Sequence, residues 1–165
     1  MKTVYILIGP KGSGKSYIGR ILEREIGIRF LLVEPFFMKV KGDRDDIDER
    51  YFSDAWALVE HEIRQHMKIK DTIMIESLGT FGSFKDFLHR LQHDFEVKLV
   101  QIRAPPELCL SRIEKRSKED HLAMTKKLVK HLNSLAVAEK YDFDIIIDNT
   151  KNGDADSVAR FKSIL

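Results

Sequence analysis

Residues 9 to 16 constrain this chain more than any others: Gly9-Pro10-Lys11-Gly12-Ser13-Gly14-Lys15-Ser16 is the pattern G-x-x-x-x-G-K-[ST]. It follows a short apolar, β-branched run, Thr3 to Ile8, which predicts a buried strand. It precedes Lys15 to Ile26, where Ile18, Ile21, Leu22 and Ile26 recur at helical spacing and Gly27 supplies a C-terminal stop. Glycines let the backbone turn tightly between the two elements, so successive N–H groups converge at the helix N-terminus. Such a nest favours an anion, and Lys15 adds a full positive charge beside it. The pattern therefore predicts a nucleotide phosphate cradle, with the backbone from Gly9 through Pro10, Lys11, Gly12, Ser13 and Gly14 around the oxygens. Lys15 reaches the β- and γ-phosphates and the Ser16 hydroxyl ligates Mg²⁺.

The rest of the chain repeats the alternation of strand and helix. Arg29 to Val33 predicts a second strand with Glu34 at its end, since Pro35 holds its predecessor extended. Residues 39–50 are dense in charge and predict a solvated, mobile loop. Ser53 or Asp54 then caps a helix that buries Ala55, Val59, Ile63 and Met67, with Trp56 beside that row. Thr72 to Ile75 predicts a third strand ending at Glu76, and Ser83 caps a helix with Phe84, Phe87, Leu88 and Leu91 on one face.

Val97 to Ile102 predicts a fourth strand, after which Pro105-Pro106-Glu107 opens a helix. A long helix from Leu122 presents Thr125, Val129, Leu132 and Ala136 on one side. Asp144 to Ile147 gives a fifth strand and Asp154 to Leu165 a closing helix. Near-continuously apolar strands alternating with helices predict a parallel sheet covered on both faces, a three-layer α/β domain over residues 1–165.

Composition narrows the partners. Lys and Arg number 28 against 26 Asp and Glu, a net charge of +2, which offers little attraction to a nucleic-acid backbone or a membrane surface. The single cysteine, Cys109, excludes an intramolecular disulfide, points to a reducing, cytoplasmic compartment, and sits in an apolar helical row as packing. No apolar stretch approaches the ~20 residues that span a bilayer, and Met1 to Ile8 is too short for a signal peptide. The histidines form no metal-binding spacing, since His89 and His93 lie four apart without an acidic partner.

The loop at Gly9 to Ser16, the pair Arg112-x-x-x-Arg116 after the fourth strand and the final strand near Asp148 together carry a family likeness. The chain resembles the small P-loop kinases of the adenylate kinase, shikimate kinase and gluconate kinase group over nearly its whole length. The resemblance implies a five-stranded parallel sheet, a short helical lid over about residues 112–133, and transfer of the γ-phosphoryl of Mg·ATP to a small metabolite or nucleotide. It implies that Glu76 is a Walker B-like acid for Mg²⁺ and that Glu34 accepts the acceptor hydroxyl's proton, two roles that remain exchangeable at this point. It also implies that Arg112 stacks on adenine while Arg116 clamps the transferring phosphates, the two sharing a helix face through their spacing of four. Ser117 and Lys118-Glu119-Asp120 would serve as the lid's hinge.

The acceptor does not carry over. Shikimate kinases resemble one another in an Asp-x-Asp after strand two and a Gly-Gly-Gly after strand three, where this chain has Glu34-Pro35-Phe36 and Ser77-Leu78-Gly79. Their arginine in the next helix meets Trp56-Ala57 here, and the Asp-Gly-x-Pro-Arg of adenylate kinases is absent. A GTPase-like switch finds the wrong acid in Glu76-Ser77-Leu78-Gly79, and Thr150-Lys151-Asn152-Gly153 lacks the acid that reads guanine. A polynucleotide-end kinase finds little charge to hold its substrate. The standing alternative is a regulatory or partner-binding module that binds ATP without transferring phosphate.

Overall fold

Strand β1 (Thr3–Ile8) is buried along its whole length because it lies at the centre of the sheet, paired in parallel with β3 (Thr72–Ser77) on one side and β4 (Glu96–Arg103) on the other. The computed structural model describes residues 1–116, 124–151 and 153–165. With β2 (Phe30–Leu31) and β5 (Ile145–Asp148) at the edges, the order is β2-β3-β1-β4-β5, a five-stranded parallel sheet of the P-loop kinase-like α/β fold. No helix among the described residues is long and apolar enough to cross a membrane.

Alternate side chains of the strands feed two cores, as the period of two requires. Val4, Ile6, Ile73, Ile75 and Leu99 pack against α3 (Glu49–His66) and α4 (Gly82–Asp94). Tyr5, Leu7, Met74, Val100, Ile102 and Ile147 face α1 (Lys15–Ile26) and α7 (Asp154–Lys162), where Tyr5 meets the Phe161 ring at 4.9 Å. The predicted stop of α1 is present, since Gly27 adopts φ 82° and its N–H bonds the Glu23 carbonyl at 2.9 Å.

Several local expectations are corrected. Strand β2 is only Phe30–Leu31, and Glu34 opens helix α2 (Glu34–Lys41) instead of ending a strand. The dipeptide Glu-Pro is compatible with both, because proline also fits a helix's first turn. The charged run 39–50 is not one loop: residues 39–41 finish α2 and 49–50 begin α3, with only the residues between them irregular. Charge marks solvent exposure there, and exposed helix ends carry it as readily as loops do. Helix α3 is capped by Asp48, whose carboxylate accepts from the Tyr51 N–H at 2.9 Å, not by Ser53 or Asp54. Helix α4 has Phe81 at its N-cap position, and the Ser83 hydroxyl is buried without a hydrogen-bond partner among the described residues.

Helix α5 (Pro106–Glu114) ends before Arg116, so Arg112 and Arg116 do not share a helix face. The last turn tightens, the Arg116 N–H bonding the Ile113 carbonyl at 3.2 Å, and the spacing of four loses its meaning past that point. The proposed hinge, Ser117 to Asp120, lies outside the described residues. Beyond it, α6 (Lys126–Ala138) starts at the cap Thr125 and buries Val129, Leu132 and Ala136, three of the four predicted positions.

Candidate active site

The loop Gly9–Ser16 crosses the C-terminal edge of the sheet between β1 and α1, where open α/β sheets collect ligands. Two of its glycines are obligatory. A Cβ on Gly12 (φ 82°) would lie 2.2 Å from the Cys109 carbonyl oxygen, and one on Gly14 (φ 93°) 2.1 Å from Asn149 Nδ2. Cys109 is thus the floor beneath the loop; its burial pushes the thiol's pKa up, which keeps it protonated and inert.

Lys15 is buried, and its Nζ donates to the carbonyls of Gly9 at 2.8 Å and Pro10 at 3.0 Å. Burial pushes its pKa down to about 8; Glu76 acts in the opposite direction, while Lys11 and Arg116 add to the depression. The Ser16 hydroxyl donates to Glu76 Oε2 at 2.7 Å. Glu76 reaches that position from within β3, beside Leu7 of β1, and is buried. A hydroxyl and a carboxylate so placed are hard oxygen donors, and they fit Mg²⁺, which takes one or two protein ligands and fills its octahedron with phosphate oxygens and water. No cluster of three or more His, Cys, Asp or Glu among the described residues offers an all-protein metal cage.

Glu34 faces the same cavity from α2, its Oε1 3.7 Å from Lys11 Nζ. Arg116 also lines this cavity and is close enough to Lys15 to weigh on its charge. Arg112 points elsewhere, behind the loop: its guanidinium donates to the carbonyls of Gly12 at 3.4 Å, Ser13 at 3.3 Å and Asn149 at 2.6 Å.

Three residues of this assembly were not expected. Asn149, just after β5, donates from Nδ2 to the Ser13 carbonyl at 2.9 Å and so locks the loop's far side. Asn133 of α6 grips the loop reciprocally, accepting from the Lys11 N–H at 2.7 Å and donating to the Lys11 carbonyl at 3.0 Å. Tyr141 donates to the Gly79 carbonyl at 2.5 Å and anchors the turn after β3; burial, with Glu139 nearby, pushes its pKa up to about 12. The apolar row of α6 identified the helix, but nothing in its spacing marked the polar Asn133 beside it.

The cavity encloses about 510 Å³. One end is the loop with Lys15, Ser16, Glu76 and Arg116; the other is walled by Phe37, Tyr51, Phe52, Trp56 and Phe81, and α6 contributes Leu128, His131 and Leu132. Trp56, expected only as a neighbour of the buried row in α3, stands in this wall.

A family model described as an AAA domain matches residues 4–139. No curated protein matches the sequence. Among solved structures, an unliganded sugar kinase from Janibacter sp. superposes with a TM-score of 0.74 at 15% identity, covering 99% of this chain and 94% of that one. The APS kinase of Mycobacterium tuberculosis, in complex with AMPPNP and APS, gives 0.68 at 15% identity and covers 99% and 96%. The shikimate kinase of Acinetobacter baumannii, in complex with shikimate, gives 0.67 at 20% identity and covers 99% and 92%.

Proposed function

We propose that this chain, which belongs to the AAA domain family, is an ATP-dependent phosphotransferase that moves the γ-phosphoryl of Mg·ATP to a small acceptor. The observation that carries the reading is the 2.7 Å contact of Ser16 with Glu76 beside the buried Lys15, on a cavity wall shared with Glu34 and Arg116. The backbone N–H groups of the loop would cradle the phosphates, and Ser16 and Glu76 would hold the metal, Glu76 directly or through water. When bound, Mg²⁺ neutralises charge on the β- and γ-oxygens.

Lys15 would exchange its two carbonyl partners for phosphate oxygens as nucleotide enters. Glu34 would take the proton of the acceptor's hydroxyl as that oxygen bonds the γ-phosphorus. Arg116 would lay its planar guanidinium against the charge that develops on the transferring group. Arg112 would support nucleotide affinity, both as the brace behind the loop and through its planar face toward adenine. A cytoplasmic setting accords with the single, buried cysteine.

The test is a screen of γ-labelled ATP against sugars, shikimate-like acids, nucleosides and nucleotides, run beside thermal unfolding with and without Mg·ATP. We expect ATP to raise the unfolding temperature by mass action, Lys15→Ala to abolish most of that rise without losing the apo fold, and label to reach at least one acceptor. A stable wild-type protein that ATP does not shift at millimolar concentration overturns the nucleotide site. A shift with no transfer to any acceptor makes the protein a binding module.

A further inference from the structure

The acceptor end of the cavity is an aromatic box. Phe37 comes from α2, Tyr51, Phe52 and Trp56 from α3, and Phe81 from the turn before α4. Phe37 meets Trp56 edge to face at 5.1 Å and 83°, and Phe52 stacks on Phe81 at 4.7 Å and 19°. The cations on the described wall lie elsewhere: Lys11 and Lys15 belong to the loop, and Arg116 follows α5. The segments that build the box, α2, α3 and the β3–α4 turn, add no lysine or arginine to the described lining.

Phe81 supplies an independent sign that this wall is built for a ligand. Among the described residues it alone, apart from glycines, has positive φ, at φ 73° and ψ 152°. That backbone region belongs almost entirely to glycine, and non-glycine residues held there gather at ligand clamps and active sites. Here the strained backbone carries a ring to the cavity wall and stacks it on Phe52. A carboxylate or phosphate entering such a box would lose its hydration with no cation on the box's described lining to replace it, and Arg44, which weighs on Tyr51, is already engaged by Asp54 at 2.9 Å. A flat, uncharged ring would gain stacking and edge contacts. The cavity as a whole, loop end included, holds about 510 Å³, within the usual range for small-molecule sites.

We propose that the acceptor is an uncharged, hydroxyl-bearing molecule with a flat aromatic ring, as a nucleoside is, its ring held among Phe37, Phe52, Trp56 and Phe81 and its hydroxyl turned to Glu34. The inference rests on the phosphotransfer reading and names its substrate class. In the step, the hydroxyl oxygen bonds the γ-phosphorus, the bond from that phosphorus to the β,γ-bridging oxygen breaks, the proton passes to Glu34, and ADP leaves.

Trp56 is the chain's only tryptophan, so its fluorescence reports on the box directly. The protein is titrated with the common nucleosides, the corresponding 5′-monophosphates, shikimate and gluconate, following Trp56 emission, and each is then offered with γ-labelled ATP. The informative variant is Phe81→Gly, because glycine takes the observed backbone conformation without strain while removing the ring. We expect at least one nucleoside to change the emission saturably and to receive label. In Phe81→Gly its KM should rise by about tenfold or more, with the KM for ATP staying within about twofold. Label reaching only monophosphates or polyhydroxy acids overturns the inference and leaves phosphotransfer standing. An ATP-induced thermal shift with no nucleoside response in emission or label also overturns it. Loss of both the ATP shift and all transfer overturns the phosphotransfer reading with it. A nucleoside KM that Phe81→Gly does not move removes the ring from the box.

Discussion

At the phosphate end of the cavity, one contiguous stretch from Gly9 to Ser16 presents backbone N–H groups, a buried lysine and a hydroxyl, with Glu76 and Arg116 added from β3 and from beyond α5. At the aromatic end, rings from α2, α3 and the β3–α4 turn meet across more than forty residues of sequence. On the proposed function, the difference follows from what each end would recognise. A phosphate has one shape and one charge, so a short backbone nest with fixed dipoles suits it wherever it occurs. An acceptor's body is recognised by a surface, and a surface is assembled from segments that can vary independently while the sheet stays the same.

Four tests probe that division, in decreasing order of effect. Arg116→Ala should lower turnover by roughly 10³–10⁵-fold, the range for a guanidinium that stabilises transferring charge, with ATP affinity nearly retained. Arg116→Lys should rescue poorly, because the planar fork is lost. Single-turnover kinetics with saturating ATP read both; a loss confined to ATP binding would move Arg116 from the reacting centre to the donor's periphery.

Glu34→Gln should lower turnover by about 10²–10⁴-fold at nearly constant ATP affinity, as removal of a proton acceptor does. Glu76→Gln should instead raise the Mg²⁺ concentration needed for nucleotide binding. Calorimetric titration of ATP at several Mg²⁺ concentrations separates the two, and exchanged phenotypes would exchange the roles.

The third change is pH. Because burial holds the Lys15 ammonium at about 8 in the free protein, its charge is lost as pH rises through that value. ATP affinity should therefore fall by up to about tenfold per pH unit above 8. Between about 8 and the usual lysine value the unfolded chain binds this proton and the folded chain does not. Lys15 therefore lowers folding stability below pH 8, and the cost disappears as pH rises across that window. Equilibrium unfolding of wild type and Lys15→Met from pH 7 to 10 checks the sign: the variant's advantage should shrink with rising pH.

Asn133→Ala is the mildest. It removes both bonds to the Lys11 backbone and should cost about 1–3 kcal/mol of stability, with a modest loss of ATP affinity and no change in the acceptor's KM. A changed acceptor KM would show that the two ends of the cavity are coupled through the loop.

Legibility in the sequence followed the same line. The alternation of strands and helices, α2 excepted, was readable, because buried strands and helix faces leave periodic apolar patterns. The ends of elements were less so: Glu34-Pro35 suits a strand's end or a helix's first turn, and local chemistry alone does not choose. The cap of helix α3 is Asp48, five residues before Ser53, the earlier of the two expected caps Ser53 and Asp54, since several acids in that run were equally able to cap it. The pairing of Arg112 with Arg116 assumed a helix running through both, but the helix ends at Glu114, and Arg112 bonds the loop's carbonyls while Arg116 lines the cavity.

By itself the sequence determined the phosphate cradle, because Gly9 to Ser16 is a local structure whose backbone turn, glycines and lysine lie within one short segment. It also determined the alternating layers, since each strand and helix carries its own apolar periodicity. Only the tertiary structure decided that Phe37, Tyr51, Phe52, Trp56 and Phe81 face one cavity, and that Asn133 and Asn149 hold the loop from α6 and from behind β5. Those contacts between elements join residues from 14 to 136 positions apart in the way the layers happen to stack, and no local propensity encodes a distance between elements that meet only after folding.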